Sequence, residues 1–527
     1  MGAGTARPRA GKADPGERRV TTLELAEHAR PSSCWLAIDG GVYDVTPFLS
    51  NHPGGAKTLL AASGRDASDA FRLFHPEPVR RRLKAFRVGA LVADAPAAES
   101  DTSSESDDEV ANRVEDHVVE DAFRALDVKF ERLGYYKTEP MYYIALMGRL
   151  AVHLALALAL VVHPASSPAV RLAGSALLGL FWQQIAFVGH DCGHNSVLRS
   201  RQAERYLGLV VGNLLNGIDI DWWKSTHNVH HVATNSVHYD PDIQHLPVLA
   251  LNERFLEDNN YSFYHMRFMP FDAASRFLAK YQHLYYFPLK GVARFNLYAQ
   301  SACHIGMRCY YAFAPRSWGP KARAASPEAD KAGHGTRSRA PAPEWSDSTV
   351  KKSADAPKPS EPTDAIPYPF VRKQDALMEL ASFLGYFAWN AAVLSAVPGV
   401  GLRVACCLVS RVVAGLLLHT MICASHFSRD MYNGRPCAEL KTWAILQLSG
   451  TLDWYCSRTL DWFYGGLQFQ IEHHLFPRVS RCHLRDVSKH VSAVCGELGL
   501  DYHSVSFYEA NREVLANLKH CGSCGAH

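Results

Sequence analysis

Three short clusters carry side chains able to bind a metal: His190-Asp191-Cys192-Gly193-His194, His227-Asn228-Val229-His230-His231 and Gln470-Ile471-Glu472-His473-His474. Their spacings are those of a helix face, on which positions i, i+3 and i+4 lie above one another. Each cluster is therefore expected to aim its imidazoles, and in the third a glutamine amide, at a common point. Imidazole is of borderline softness and suits iron, copper or zinc. Eight or so such ligands exceed what one ion takes and suit two.

Two further histidines lie near the N-terminus. His52-Pro53-Gly54-Gly55 is followed, 23 residues after His52, by His75 in Phe74-His75-Pro76. Two imidazoles on opposite walls of a small apolar pocket hold a haem iron through both axial positions, which leaves no site for oxygen and favours electron transfer. Gly54 and Gly55 let backbone approach a macrocycle closely. A paired iron centre beside a bilayer, joined to a haem donor, implies stepwise reduction of oxygen to an oxidant able to attack an unactivated C–H bond. Each cycle takes two electrons, and a tethered donor raises their effective supply.

These residues need elements to hold them. The 527-residue chain is 47% hydrophobic and 20% charged, which leaves room for a soluble domain and a membrane region. Residues 1–19 read as a polar, disordered N-terminus, with no apolar core and hence no expected secretory signal. Residues 20–92 read as a small soluble domain. Residues 93–119, rich in Ala, Ser, Asp and Glu, read as a flexible acidic linker, a solvated tether between domains. Four apolar stretches follow, at about residues 142–162, 169–188, 376–397 and 402–424. Each is about 20 residues long, enough at ~1.5 Å per residue to cross a ~30 Å hydrocarbon core. They form two hairpins with very short turns.

Most Arg and Lys fall in the long segments outside those hairpins, which by the positive-inside tendency belong on the cytosolic side together with all three clusters. The aromatic stretch Tyr281–Tyr311, interrupted by Lys290, Arg294 and Arg308, is expected to lie along the interface rather than to span. Residues 316–366 read as a disordered insertion, separating a first part of the membrane domain (120–315) from a second (367–512), and 513–527 as a tail.

The net charge of +3 argues for no particular partner, and no nucleic acid is expected. Thirteen cysteines show no paired framework, and several, such as Cys406, Cys407 and Cys423, lie in apolar segments, so they read as reduced thiols. Cys521-Gly522-Ser523-Cys524 has CxxC spacing but stands alone in a Gly-rich end.

The N-terminal residues closely resemble the cytochrome b5 fold over about 75 residues, including the segments Trp35-Leu36-Ala37-Ile38 and Val42-Tyr43-Asp44-Val45-Thr46-Pro47-Phe48-Leu49. That resemblance implies His52 and His75 as axial ligands of haem b. From about residue 120 to 510, outside the insertion, the chain resembles the membrane fatty acid and sphingolipid desaturases. Within them it is similar to the front-end branch, in which cytochrome b5 is fused at the N-terminus and Gln leads the third box. The likeness extends to Trp222-Trp223-Lys224, to Tyr239-Asp240-Pro241-Asp242-Ile243-Gln244-His245 and to the run from Asp461 to Phe469. Leu475-Phe476-Pro477-Arg478 with Cys482-His483-Leu484-Arg485 looks most like plant-type sphingolipid Δ8 and acyl Δ6 enzymes.

The resemblance implies an α+β cytochrome b5 domain followed by an all-α multi-span membrane desaturase domain with a cytosolic di-iron cap, in the endoplasmic reticulum. It implies an oxidoreductase that uses O2, two iron ions and electrons from NAD(P)H through a separate cytochrome b5 reductase. The substrate class is a long-chain lipid, with sphingoid-base Δ8 desaturation first and acyl Δ6, Δ5 or Δ8 desaturation next. A lipid hydroxylase and a non-enzymatic haem electron carrier are remoter alternatives.

By position, His190, His194, His227, His230, His231, His473 and His474 are the implied iron ligands. His426, in Ala424-Ser425-His426-Phe427-Ser428, matches a further histidine placed near the metals. Acyl-CoA desaturases carry an Asn four residues before that histidine, where this chain has Ile422. The set is thus one group short, and Gln470, His419 and His245 are candidates to complete it. Asp191, Asp240 and Asp242 stand either as carboxylates that orient imidazole N–H groups or as helix caps and loop charges. Trp222, Trp223, Trp462 and Phe463 stand either along a slot for the lipid chain or in an interfacial aromatic belt.

Overall fold

A computed structural model describes residues 16–92, 116–257, 260–314, 371–436 and 442–524. The insertion read at 316–366, most of the linker and the first fifteen residues lie outside these.

The N-terminal domain is a five-stranded sheet in the order β1-β5-β4-β3-β2, from β1 (Arg19–Thr21), β2 (Ala29–Arg30), β3 (Ser33–Ile38), β4 (Gly41–Asp44) and β5 (Arg87–Val92). β1 runs parallel to β5 with Arg19 opposite Ala90, and the other pairings are antiparallel. The sheet thus begins at Arg19, inside the stretch expected to be disordered. Helix α1 (Thr22–Glu27) is N-capped by Thr21. Against the sheet pack α2 (Ala56–Ala62), α3 (Ser68–Phe74) and α4 (Glu77–Leu83), and the two haem-type histidines sit at element ends. His52 closes a 3-10 turn, Thr46–Asn51, and His75 caps the C-terminus of α3.

Residues 116–119, expected in the linker, are instead the start of α5 (Asp116–Leu133). The reason is an apolar stripe, Val119, Phe123, Leu126 and Phe130, that a solvated tether would leave in water and that here is buried.

Among the described residues, four helices are long and apolar enough to cross a membrane: α6 (Pro140–Val162), α7 (Pro168–Gly193) and, after the insertion, Lys373–Ser395 and Val400–Ala424. All four overlie the expected spans. Helix α7 is the central one, enclosed along most of its apolar length, whereas the other three leave most of theirs exposed, as lipid-facing helices do. The hairpin turns lie at one end of the bundle, and the chain leaves the second and fourth spans at the other.

Between the hairpins, α8 (Arg201–Gly208) leads through a π-helical turn to α9 (Ile220–Val232), which carries the second box. Asp219 starts α9: its carboxylate accepts from Trp222 N at 3.3 Å and is held by Asn213 and His304. A hairpin, β6 (Tyr261–Ser262) with β7 (Arg267–Phe268), follows.

Helix α10 then runs unbroken from Ala273 to Phe313, longer than any one bilayer crossing. The cations that argued for an interfacial position face the protein. Lys290 Nζ donates to Cys423 Sγ at 3.0 Å, and the Arg294 guanidinium donates to Asn216 and lies over Trp182.

The later helices of the membrane part are α11 (Lys373–Ser395), α12 (Val400–Ala424), α13 (Trp443–Gly450), α14 (Asp461–Tyr464), α15 (Gln470–Leu475), α16 (Leu484–Leu498) and α17 (Phe507–Cys524). Strands β8 (Asp453–Tyr455) and β9 (Ser504–Ser506) pair in parallel. Helix α17 corrects the expected tail. Val514, Leu518 and Cys521 form an i, i+4, i+7 stripe buried against α10, and each such Val or Leu contributes roughly 1.5–3 kcal/mol. Cys521 is buried and Cys524 exposed, both as free thiols.

The N-terminal domain is seated on the membrane domain. Helix α2 packs directly on α9, and Val229 and Val232 join the same apolar core as Leu49 and Leu60. Around that core, Lys57 Nζ donates to Tyr264 O at 2.6 Å and Arg478 Nε to Leu73 O at 2.8 Å. Arg435 donates to the carbonyls of Leu60, Ser63 and Ala29.

Candidate metal centre and haem pocket

The haem pocket is built by two loops that hold their imidazoles by the far nitrogen. His52 Nδ1–H donates to Gly55 O and His75 Nδ1–H to Phe71 O, each at 3.0 Å, which fixes the tautomer and leaves both Nε2 lone pairs free. The ring centroids are 6.0 Å apart. An ion at about 2 Å from each Nε2, with each centroid roughly 1 Å further out, requires the same separation. Burial pushes both pKa values down to about 4, so the imidazoles are neutral and competent as ligands near neutral pH. A methyl group at Gly54 would stand 2.8 Å from His52 Cε1, which accounts for glycine there. The pocket fits a bis-imidazole haem.

The three boxes meet where the second and fourth spans end. His190 lies in the last turn of α7 and His194 caps it, α9 supplies His227, His230 and His231, and α15 supplies Gln470, His473 and His474. They converge on two adjacent points, whereas one point per box was expected. The ligating nitrogens of His190, His194, His227 and His473 lie within 4.8 Å of one another, and those of His230, His426 and His474 form a second such group. His231 stands between: its Nε2 is 3.0 Å from His227 Nε2, and its ring stacks on His474 with centroids 4.1 Å apart. Two nitrogens bound at right angles to one ion by ~2.1 Å bonds are themselves about 3.0 Å apart.

Outer contacts again settle which nitrogen points inward. His230 Nδ1–H donates to Asp240 Oδ2 at 2.8 Å; burial works to lower the His230 pKa, and Asp240 overrides it and raises it. His474 Nδ1–H donates to Gln447 Oε1 at 2.9 Å, and the amide of Gln447 is oriented by donation to His231 O. His426 Nδ1–H donates to Gly450 O. Burial, and then the neighbouring imidazoles, hold His194, His227, His231, His426, His473 and His474 well below the ordinary histidine pKa. The Nε2 atoms of His190, His194, His473 and His474 are buried without a partner. Inward-facing, orphaned ring nitrogens are costly unless something pairs with them, and they fit two metal ions.

Gln470 stands beside the second group with its amide 3.2 Å from His426 Nε2, and its Oε1 is buried without a partner. Rotating the amide by half a turn presents that oxygen to the same place. His419 donates to Gly415 O and His245 packs against Phe427; neither joins a group. Ile422 is exposed. Of the three aspartates, Asp240 orients an imidazole. Asp242 is 3.9 Å from His227, and Asp191 chiefly serves Arg481 (2.9 Å) and Tyr143 (3.0 Å).

The indole of Trp223 lies over His227 with centroids 4.3 Å apart. A side chain at Gly193 would overlap that indole, so the glycine of the first box makes room for the tryptophan of the second. Trp222 sits half-buried on α9, while Trp462 is exposed with Arg149 over its ring, and Phe463 O accepts from Gln183 and Gln184. A small, partly open pocket of about 20 Å³ touches His190, His194, His473 and Gln470 between walls that include Phe187, Leu467 and Leu484. Elsewhere, Glu253, His520 and Cys524 meet at the surface, where His520 and Glu253 hydrogen-bond at 2.6 Å and tie down α17.

Gln447 and the Gly450 carbonyl were not anticipated. They sit outside the boxes, at distances along the chain that carry no periodic signal.

An N-terminal sheet domain with a bis-imidazole pocket, joined to a helical membrane bundle capped by two imidazole clusters, defines a haem-fused membrane oxidoreductase. Residues 21–92 match the cytochrome b5-like haem/steroid-binding domain, and residues 166–315 and 354–506 match the fatty acid desaturase family. The chain is 33% identical to a Delta(8)-fatty-acid desaturase of Helianthus annuus over 96% of its own length and 91% of the relative's. It is 30% identical to an acyl-lipid (9-3)-desaturase of Borago officinalis (95% and 93% covered) and 26% identical to a Delta 8-(E)-sphingolipid desaturase of Emericella nidulans (92% and 90%). The protein belongs to the membrane-bound fatty acid desaturase family and carries a cytochrome b5 domain at its N-terminus; it is an oxidoreductase of the front-end desaturase type.

Proposed function

We propose that this protein introduces a double bond into a long-chain lipid, with the Δ8 position of a sphingoid base as first substrate, on the cytosolic face of the endoplasmic reticulum. The observation that carries this reading is the pair of adjacent imidazole groups, each with its ligating nitrogens within 4.8 Å of one another, beside a bis-imidazole pocket. His190, His194, His227, His231 and His473 would hold one iron, and His230, His426 and His474, with Gln470 beside them, the other. His52 and His75 would hold haem b, supplied with electrons from NAD(P)H by a separate cytochrome b5 reductase. Bound there, the irons with O2 and two electrons supply the oxidising power that removes two hydrogens from neighbouring carbons.

What the chain's own residues do is positional. Asp240, Gln447 and the Gly450 carbonyl hold imidazole protons on the outer nitrogens, so that the inner ones stay free. Phe187, Leu467 and Leu484 stand beside His190 and His473 at the pocket, and apolar side chains so placed would guide a lipid chain to a fixed depth, which regioselectivity requires.

A second reading, acyl desaturation at Δ8, Δ6 or Δ5, is compatible with Ile471 in the third box and draws support from the acyl-lipid relative. Expression in yeast lacking such an enzyme, with mass spectrometry of both long-chain bases and acyl chains, separates the two. New unsaturation in neither pool, with iron and haem present, defeats both readings, and a hydroxylated product would replace them.

A further inference from the structure

Helix α9 has no free face on its second half. His227, His230 and His231 point to the metal groups, while Asn228, Val229 and Val232, interleaved with them, point to the haem domain. The haem loops therefore abut the back of the helix that holds the second box. On the His52 side, Asn228 Nδ2 donates to Gly54 O at 3.4 Å. On the His75 side, the residue immediately before the histidine crosses over. The Phe74 ring meets the His231 ring edge-on, with centroids 5.9 Å apart, and meets Trp443 in the same way at 6.2 Å. Phe74 packs against both the apolar core of the haem domain and that of the metal cap. The segment around it is pinned by Arg478 to Leu73 O and by ion pairs of Arg72 with Asp127 and Arg124 with Asp69, each at 3.3 Å.

We infer that the seated haem domain is the electron-delivering arrangement and that Phe74 is the positioning residue that bridges the haem ligand His75 to the metal ligand His231. The inference rests on the desaturase reading above. Covalently, Phe74 is the neighbour of His75, and one van der Waals step separates its ring from His231. The step itself is the passage of one electron from reduced haem, which becomes ferric, to a ferric ion held by His231, which becomes ferrous. No bond breaks and no proton moves in that step. The haem is re-reduced by a nicotinamide-driven reductase, and two such passages serve one O2. An aromatic ring at residue 74 is needed because it fills the gap to both His231 and Trp443, leaving no void for the electron to cross.

The test uses full-length protein loaded with haem and iron. The reduced haem is mixed with oxygenated buffer containing substrate lipid, and its reoxidation is followed by its absorbance. Protection of Lys57 from amine-reactive labelling, read by mass spectrometry, reports whether the domain stays seated, since Lys57 is enclosed against Tyr264. Phe74→Leu keeps an apolar side chain, and Phe74→Tyr keeps the ring. The expected result is reoxidation slowed about tenfold or more in Phe74→Leu, as losing a positioned contact can cost, with Lys57 still protected and the rate largely restored in Phe74→Tyr. Unchanged reoxidation in Phe74→Leu overturns the proposal, as does slowing that appears only when Lys57 becomes labelled, because Phe74 would then serve docking alone. In a parallel His194→Ala control, reoxidation as fast as in the unaltered protein would mean that the metal centre is not the acceptor, and the desaturase reading itself would fail.

Discussion

At the scale of the residue, His190, His194, His473 and His474 keep a buried inner nitrogen without a partner, while His230, His426 and His474 commit their outer nitrogen to Asp240, the Gly450 carbonyl and Gln447. His194→Ala or His473→Ala removes one of the orphaned inner donors, and the expected outcome is loss of desaturated product and of bound iron with the haem spectrum retained, checked by lipid mass spectrometry and metal analysis. Asp240→Asn acts one step further out. It weakens the acceptor of the His230 N–H, and a roughly 10–100-fold fall in metal affinity or activity is expected, measured by iron titration of the stripped protein. The i, i+3, i+4 spacing was enough to anticipate that each box shares a helix face, because that rule is local. It could not tell that His227 and His230 part company. That division depends on where Asp240 and the cap around His426 and Gly450 lie, and those are placed by tertiary packing. For the same reason His419 and His245 stood as candidates from sequence although packing keeps both out of the groups.

Elements tell a similar story with a different moral. All four spans were legible from length and apolarity, since a bilayer imposes one length on every crossing. Helix α17 was expected as a tail: Val514, Leu518 and Cys521 sit at helical spacing, but three positions are a short pattern and Gly522 within the last turn is a poor helix former. The short turn after α14 was less accessible. Gly465 adopts φ +64°, and a side chain there would overlap the Phe187 ring. Gly465→Ala is therefore expected to destabilise the protein by about 1–3 kcal/mol from backbone strain alone, with a further loss from overpacking. Thermal unfolding in detergent should show it, and adding Phe187→Ala should return only the packing part.

For the whole molecule, the unexpected relation is that the haem domain sits on the second box rather than hanging from a tether. The acidic composition of residues 93–119 speaks only of solvation, and nothing in it reveals that the residues between the box histidines are a docking surface. Arg435 closes that interface with donations to three backbone carbonyls of the haem domain. Hydrogen bonds from a charged donor each contribute about 1.5–3 kcal/mol, so Arg435→Ala should loosen the seating, raise Lys57 labelling and leave haem and iron content unchanged.

The two-sided helix α9 also limits how freely such a protein can exchange parts. A fused electron donor is usually thought of as a module, replaceable by any other of its kind. Here Asn228, Val229 and Val232 are spelled into the same five- or six-letter stretch as the clustered histidines, so the address of the haem domain is written inside the second box. A transplanted haem domain would have to read that address, and variation in the letters between the histidines would record which donor each enzyme has come to accept.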